Sequence, residues 1–248
     1  MNKYTHAVDR LIRSFGYVLV PSWRYAPNTL EAHLRELFEL LGISCVIDVG
    51  ANTGQYRDFL RYQVEYKGWI VSFEPVKANL ETLERKAATD RHWRVFRCGI
   101  GAANATAEIN VMRDAQFSSL LAPDHTVVQQ YKRENEVMYR EQITVRRLAD
   151  VFPELKSEGL PIDHCYLKTD TQGYDLQVLE GAKPILGNVL ALQLELSVMA
   201  IYQGMPTLAE ALAVNRQLGF DATGFFPISR DKHRRLIEVD GVFTRRPA

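Results

Sequence analysis

The nine-residue stretch VIDVGANTG, residues 46–54, joins a short apolar run to a segment with helical periodicity. The apolar run predicts a strand buried on both faces, and residues 55–64 predict the helix that follows. Glycine lets the backbone approach a ligand closely, and a helix N-terminus presents free N–H groups. The stretch therefore predicts a ligand-binding loop between the first strand and the next helix of an α/β sheet.

The spacing of the two glycines narrows the kind of ligand. Gly50 and Gly54 are separated by three residues, which is not the dinucleotide pattern G-x-G-x-x-G, and no Lys-Ser/Thr pair forms a phosphate loop. Asp48, at the end of the strand, can pair with an ammonium group, which suits the amino-acid part of a nucleotide-like cofactor. A tight turn without a ligand is the alternative interpretation.

Strand and helix patterns alternate along most of the chain, which predicts parallel βαβ units. The last two strands flank a turn at residues 230–235 and predict an antiparallel hairpin. The sequence therefore predicts an α/β fold with a seven-stranded sheet and helices on both faces. The predicted strands cover residues 45–49, 69–73, 93–97, 164–168, 189–194, 222–228 and 236–244.

Residues 1–44 predict an N-terminal helical segment packed on the core of the domain formed by residues 45–248. In its second helix, Asn28 and Glu31 match a capping box, and Gly42 ends the helical pattern. The first, amphipathic helix could instead contact a partner subunit in a homodimer or a membrane surface. Its apolar positions are Val8, Leu11, Ile12 and Phe15.

A polar stretch at residues 113–141 interrupts the alternation between two half-exposed strand patterns. A loop this long inside a compact domain is usually functional. The stretch therefore predicts a lid-like insertion that faces the substrate.

Polar and small residues follow the second and third predicted strands. Glu74 ends the second strand, where a carboxylate can accept hydrogen bonds from both ribose hydroxyls of a nucleotide. Cys98, Gly99 and Ile100 follow the third strand, where small side chains and backbone groups suit a flat ring. An ordinary strand-end turn is the alternative at both places.

The fourth and fifth strands end near carboxylates. Asp170 and Gln172 follow the fourth, and Glu195 ends the fifth, so we expect them beside the reacting group of a ligand. Asp170 is the first candidate for a general base and Glu195 the second, although both could simply hold loops. Lys168 could orient a carboxylate, contact the acceptor or form only an ion pair. A divalent metal held by Asp170, Glu195 and Asp240 is a less favoured alternative, because no His-rich ligand pattern supports it.

Several motifs together resemble the FkbM family of methyltransferases over residues 46–245. They are VIDVGANTGQY, SFEP, LKTDTQGYDLQVLEGA, LELS followed by YQG, and VDGVFTRR. The resemblance implies a class I methyltransferase fold, S-adenosylmethionine as cofactor, and methylation of hydroxyls on sugars, glycolipids, polysaccharides or polyketide-type natural products. Thr169 and Thr171 depart from the aliphatic residues usual in the family, as does Cys98 at its position, which leaves the shape of the acceptor pocket open.

The candidate site residues fall into three groups. The cofactor-binding candidates are Asp48, Gly50, Ala51, Asn52, Thr53, Gly54, Tyr56, Glu74, Pro75, Cys98, Gly99, Ile100 and Gln172. The catalytic candidates are Asp170, Glu195 and Lys168. The acceptor-binding candidates are Ser118, Ser119, Gln172 and Tyr202.

Composition bears on the partners and on the compartment. The chain has 30 Lys plus Arg and 30 Asp plus Glu, whereas a nucleic-acid-binding protein usually carries a basic excess. The three cysteines lie in or beside predicted strands and match no zinc pattern. Together with the lack of a signal-like or membrane-spanning stretch, they predict a cytoplasmic protein. The family resemblance implies that its partner is a small-molecule or glycan acceptor.

Two other functions remain open. An N-methyltransferase of nucleic acid or protein would favour a basic face or an Asn/Asp-Pro-Pro-aromatic motif, where this chain has Asp170-Thr171-Gln172-Gly173. A non-catalytic cofactor-binding module would not need Asp48, Glu74 and Asp170 together.

Overall fold

The strand that precedes the glycine loop lies inside a seven-stranded sheet. The structure is a computed structural model, and it describes residues 8, 12–18 and 29–246. The strands are β1 (Cys45–Val49), β2 (Trp69–Phe73), β3 (Trp93–Phe96), β4 (Gly99–Ile100), β5 (Ala105–Met112), β6 (Val137–Arg146), β7 (Cys165–Thr169), β8 (Val189–Ser197), β9 (Phe220–Arg230) and β10 (Leu236–Arg245). The large sheet has the order β3-β2-β1-β7-β8-β10-β9. β10 runs antiparallel to β8 and β9, which confirms the predicted terminal hairpin.

Helices cover the sheet. They are α1 (Leu30–Leu41), α2 (Gln55–Phe59, continued by a π-helical turn at Leu60–Val64), α3 (Lys77–Ala87), α4 (Leu148–Ser157), α5 (Asp175–Ala182) and α6 (Leu208–Gln217). Helices α1 and α6 begin at a side-chain cap. Thr207 and Glu210 form a capping box at the start of α6. At α1, however, Thr29 is the N-cap and accepts a hydrogen bond from Ala32 N, so the prediction of Asn28 is wrong. Asn28 itself lies outside the described residues.

The sheet is buried on both faces, as its apolar strands predict. All five residues of β1 and of β7 are buried, and both strands pair in parallel. Helix α1 packs Leu34 and Phe38 against Val46 of β1 and Ile70 of β2. The three cysteines are free and buried. These contacts fix the carboxyl ends of β1, β2, β7 and β8 at one edge of the sheet.

The N-terminal segment is described only in part. Residues 12–14 are helical, and the side chains of Val8 and Phe15 are exposed. Leu11 lies outside the described residues, and the packing of this first helix on the core stays a prediction. Within the described ranges, no helix is both long enough and apolar enough to cross a membrane.

The predicted insertion belongs to a second, smaller sheet with the order β4-β6-β5. Its last residues, 137–141, are the first half of β6 rather than loop. The remaining segment is anchored at both sides, since Ser119 bridges Asn110 of β5 and Pro123 bridges Tyr202. Val128 packs with Tyr202 and Ile237 in a buried cluster. The insertion therefore lies against the edge of the large sheet where the strand ends meet.

Candidate active site

The strand ends open into a cleft of about 460 Å³, a size that is typical of small-molecule sites. The loop after β1, the end of β2, the insertion and the ends of β7, β8 and β10 form its walls. The predicted site residues that line it are Gly50, Ala51, Asn52, Tyr56, Glu74, Pro75, Gly99, Ile100, Ser118, Ser119, Lys168, Asp170, Gln172 and Glu195. The structure thus brings both halves of the predicted site into one cavity.

The glycine loop packs directly against the end of β7. Gly50 and Gly54 have φ angles of 82° and 87°, and Asn52 is also left-handed at 49°. A Cβ atom on Gly50 would lie 1.9 Å from the carbonyl oxygen of Asp170, so no other residue fits there. The contact requires glycine and sets the loop beside Asp170.

Glu74 ties the second strand to the glycine loop. Its Oε2 accepts a hydrogen bond from Asn52 N at 2.8 Å, and its Oε1 accepts from Val76 N at 2.9 Å and Asn79 Nδ2 at 3.2 Å. Burial raises the pKa of Glu74 to about 7 although these bonds oppose the rise. The carboxyl is both a wall of the cleft and the support of the loop.

Asp48 lies beneath the cleft rather than in its wall, because Lys168 and Ser72 enclose its carboxylate. It is fully buried and accepts hydrogen bonds from Lys168 Nζ and Ser72 Oγ, each at 3.0 Å. Lys168 Nζ also lies 3.4 Å from Asp170 Oδ2. Burial lowers the pKa of Lys168, but Asp48 and Asp170 outweigh burial and raise it. Lys168 is therefore an ion-pair bridge between the strand ends of β1 and β7.

Gln172 connects the two predicted catalytic carboxylates. Its Nε2 donates to Asp170 Oδ1 at 3.1 Å and to Glu195 Oε2 at 2.5 Å. Its Oε1 lies 2.8 Å from the hydroxyl of Tyr202, which is 1% exposed. Gln172 has a left-handed φ of 53°, an uncommon backbone state that often occurs at functional sites. Tyr202 thus orients Gln172 from below instead of lining the cleft itself.

The two carboxylates differ in their protonation. Burial and the nearby charges of Asp170 and Glu238 raise the pKa of Glu195 well above its usual range. Burial also raises the pKa of Asp170, but Lys168 and hydrogen bonds from Glu195 and Gln172 lower it overall. These opposite pKa shifts favour the protonated form of Glu195 and the ionised form of Asp170, as in other coupled carboxyl pairs.

The last strand contributes two carboxyls to the same cleft. Asp240 lies directly opposite Glu195 in the β8–β10 register, and Glu238 lies one pleat further along the same face. From the sequence, Asp240 was a candidate only as a metal ligand, and Glu238 was not predicted as a site residue. In the sequence, the two carboxyls alternate with the apolar residues Ile237 and Val239. Side chains at every second position of a strand face the same side, so this pattern could have predicted that both carboxyls share one face.

Carboxyl groups dominate the polar lining of the cleft. Its wall contains five carboxyls, those of Glu74, Asp170, Glu195, Glu238 and Asp240, and Lys168 as its one basic residue. Burial raises the pKa of Glu238 to about 7 and that of Asp240 to about 6. In the part of the chain that the structure describes, no group of three His, Cys, Asp or Glu residues is arranged to hold a metal ion.

The raised pKa of Glu238 predicts a pH-dependent stability. Since the folded protein binds this proton more tightly than the unfolded chain, unfolding releases it, and stability falls as pH rises from about 4.5 through about 7. Glu238→Gln should therefore stabilise the protein at pH 8 by about 1–3 kcal/mol, or several degrees in Tm, and change little at pH 5. Thermal unfolding at both pH values measures this, and equal effects at the two would contradict it.

Five predicted site residues do not line the cleft, and their contacts explain why. Asp48 and Tyr202 act from below, as described above. Gly54 packs against Trp93, where a Cβ would lie 2.8 Å from the indole. Cys98 is buried in the main core cluster, and Thr53 N binds Gln55 Oε1 at the start of α2. The cofactor contacts predicted for the other four residues and the acceptor contact predicted for Tyr202 stay predictions.

The strand order, the antiparallel β10 and the glycine loop at the edge of the sheet define a class I methyltransferase fold. A model of the methyltransferase FkbM domain matches residues 48–222. The chain belongs to this family of methyltransferases.

Solved structures resemble the chain at low sequence identity. The crystal structure of methyltransferase FkbM from Methylobacillus flagellatus KT is 16% identical with a TM-score of 0.49, and the match covers 80% of this chain and 43% of that one. An rRNA methylase from Streptococcus thermophilus is 11% identical with a TM-score of 0.42, over 83% and 88% of the two chains. The chain thus spans less than half of the Methylobacillus protein's length. No curated protein sequence matches the chain significantly.

Proposed function

We propose that this methyltransferase uses S-adenosylmethionine to methylate a hydroxyl of an uncharged sugar, glycolipid, polysaccharide or polyketide-type natural product. One observation carries the proposal. A single cleft is lined by the glycine loop and Glu74 and also by Asp170 and Glu195. This is the arrangement that an in-line transfer between a nucleotide cofactor and an alcohol requires.

The glycine loop, Glu74 and the residues around them fit the cofactor. The start of α2 presents backbone N–H groups, and Gly50 keeps the loop free of side-chain bulk. Glu74 uses its oxygens for Asn52, Val76 and Asn79 and keeps one of its roughly four lone-pair positions for a ribose hydroxyl. Ile100 and Pro75 supply apolar wall for the adenine ring. When bound, S-adenosylmethionine supplies an electrophilic methyl group.

Asp170 is the proposed general base. It is ionised, it lies in the cleft wall, and its side chain is 39% exposed, so an acceptor hydroxyl can reach it. Gln172 donates a hydrogen bond to Oδ1 of Asp170, and Lys168 forms an ion pair with Oδ2. Together these contacts fix the orientation of the carboxylate. The hydroxyl proton moves to Asp170 as the new O–C bond forms. The proton that Glu195 shares stabilises the charge on Asp170 before transfer.

The charge of the cleft supports an uncharged acceptor. Five carboxyls and one basic residue line it, and Lys168 is already paired with Asp48. A phosphate or carboxylate on the acceptor would find no unpaired basic side chain in this lining, and any ionised carboxyl there would repel it. The same argument disfavours nucleic acid, which is the acceptor of the competing N-methyltransferase hypothesis.

A methyl-transfer assay tests the proposal. Purified protein with S-adenosylmethionine is offered a panel of neutral sugars, nucleotide sugars, polyketide glycosides and RNA, with and without a chelator, and S-adenosylhomocysteine is measured. We expect transfer to a hydroxyl of a neutral member, unchanged by the chelator. Transfer to RNA alone, or transfer abolished by the chelator, would contradict the proposed acceptor or mechanism.

Glu74→Gln should weaken cofactor binding. The amide group would present N–H donors where Asn52 N and Val76 N already donate, so it disturbs the loop and offers fewer acceptors to the ribose. We expect Kd for S-adenosylmethionine to rise about tenfold, the equivalent of one lost hydrogen bond to a charged group. Calorimetric titration measures this, with Glu36→Gln on the exposed face of α1 as control. A Kd within twofold of the unchanged protein would remove Glu74 from the ribose site.

A further inference from the structure

Gln193 lies in the wall of the cleft, and both polar atoms of its side chain form hydrogen bonds. The residue is 2% exposed. Its Oε1 lies 2.7 Å from the hydroxyl of Tyr56 and 2.9 Å from that of Tyr166, and its Nε2 lies 2.9 Å from Asp240 Oδ1. No part of the proposed mechanism uses this chain of hydrogen bonds.

The two tyrosines fix the direction of the amide. Burial raises the pKa of Tyr56 and of Tyr166 well above the usual range, so both hydroxyls keep their protons and can donate. The acceptor oxygen of Gln193 therefore faces them, and its N–H group must face Asp240. A donated hydrogen bond at this place favours the ionised form of Asp240.

Asp240 stands where a purely structural strand would not place a carboxyl. It is directly opposite Glu195 across the β8–β10 pair, so two carboxyl groups lie side by side on one face of the sheet. It also faces Asp170 and Lys168 from β7, and Glu238 from its own strand. The bond from Gln193 occupies Oδ1, and no side chain within the described ranges donates to Oδ2.

We propose that Asp240 binds a second hydrogen-bond donor of the acceptor, a hydroxyl or an ammonium group, and that Gln193 is the residue that positions it. The inference rests on the proposed function, because it divides the cleft wall into two roles. Asp170 faces the hydroxyl that receives the methyl group, and Asp240 selects acceptors with another donor nearby. The alternating face of β10 thus becomes part of the acceptor site.

The titration of Asp240 tests the positioning role without any acceptor. The full chain is labelled with 13C at Asp carboxyls, and the Asp240 resonance is assigned by its loss in Asp240→Asn. Gln193→Met should make Asp240 bind its proton roughly tenfold more tightly, as expected for one lost hydrogen bond to a charged group. Gln217→Met, on the exposed end of α6, should leave the titration unchanged.

A second variant covers the case in which Gln193→Met does not fold. Tyr56→Phe combined with Tyr166→Phe keeps Gln193 and the core volume but removes both donors from its oxygen. The amide can then rotate, and we expect Asp240 to bind its proton more tightly, by a smaller factor. An Asp240 titration that stays unchanged in the folded variants overturns the positioning role.

Kinetics with the acceptor identified in the panel test the binding role. Asp240→Asn should raise KM for that acceptor about tenfold, keep kcat within about threefold, and leave the Kd of S-adenosylmethionine unchanged. The double variant Asp240→Asn/Gln193→Met should be no worse than Asp240→Asn, because Gln193 acts through Asp240. An amino analogue that binds more tightly than the hydroxy acceptor indicates an ammonium partner, and equal or weaker binding a hydroxyl.

Three results separate failure of this inference from failure of the proposed function. Multiplying effects in the double variant overturn the positioning role of Gln193, and a fall in kcat with unchanged KM overturns the acceptor-binding role of Asp240. Absence of cofactor binding in the unchanged protein refutes the proposed function instead. The carboxyl titration remains decisive for Gln193 in either case.

Discussion

Asp170→Asn should lower kcat at least about a hundredfold, the lower end of the loss expected when a general base is removed. The amide cannot take the hydroxyl proton, although it keeps the size of the carboxylate and can still bond to Gln172. Lys168 retains its partner Asp48, so the ion pair below the loop persists. We therefore expect the Kd of S-adenosylmethionine to stay within about threefold, which separates loss of chemistry from loss of binding.

The matched control for this change is Asp163→Asn, an exposed aspartate just before β7. It should turn over at the rate of the unchanged protein. The pH profile adds a second readout, because the low pKa of Asp170 keeps the base ionised and its loss should remove the acidic limb of kcat/KM. Near-normal turnover of Asp170→Asn would exclude it as the base and leave Glu195.

Gly50→Ala should abolish measurable cofactor binding and lower stability. The new Cβ would lie 1.9 Å from the carbonyl oxygen of Asp170, and this backbone atom cannot move aside as a flexible side chain could. The left-handed φ of 82° adds about 1–2 kcal/mol of strain for any residue with a Cβ. Separation of the loop from the end of β7 would then spoil both halves of the cleft.

Calorimetry and thermal unfolding measure this effect, with Gly187→Ala as control. Gly187 has open space around it and no positive φ, so its replacement should change Tm by no more than about 1–2 °C. For Gly50→Ala we expect Kd to rise by more than about a hundredfold. A folded Gly50→Ala protein with unaltered affinity would show that the loop does not contact the cofactor.

Much of the fold follows from local patterns in the sequence. The apolar runs at Cys45–Val49 and Cys165–Thr169 are short and uniformly buried, so periodicity and turn signals suffice to predict them. Helix α4 was not predicted from the sequence. Val151 and Leu155 have helical spacing, but Pro153 lies between them, and proline usually disrupts the interior of a helix. Helix capping at Thr29 instead of Asn28 is a choice between neighbouring polar residues that local sequence does not decide.

The sequence could predict only those residues of the candidate site that lie at the ends of strands. Asp170 and Glu195 follow parallel strands, and the topology of such a sheet brings their ends together. The ion pair between Lys168 and Asp48 depends on the β1–β7 register, in which the two residues lie directly opposite each other. The position of Asp240 opposite Glu195 depends on the antiparallel register of the last strand. Sequence spacing does not contain these long-range pairings.

Calorimetric titration of the purified protein with S-adenosylmethionine tests the central claim most directly. The geometry of the loop and of Glu74 predicts saturable binding at one site per chain, lost in Gly50→Ala and kept in Asp170→Asn. Absence of binding at millimolar cofactor would contradict the account.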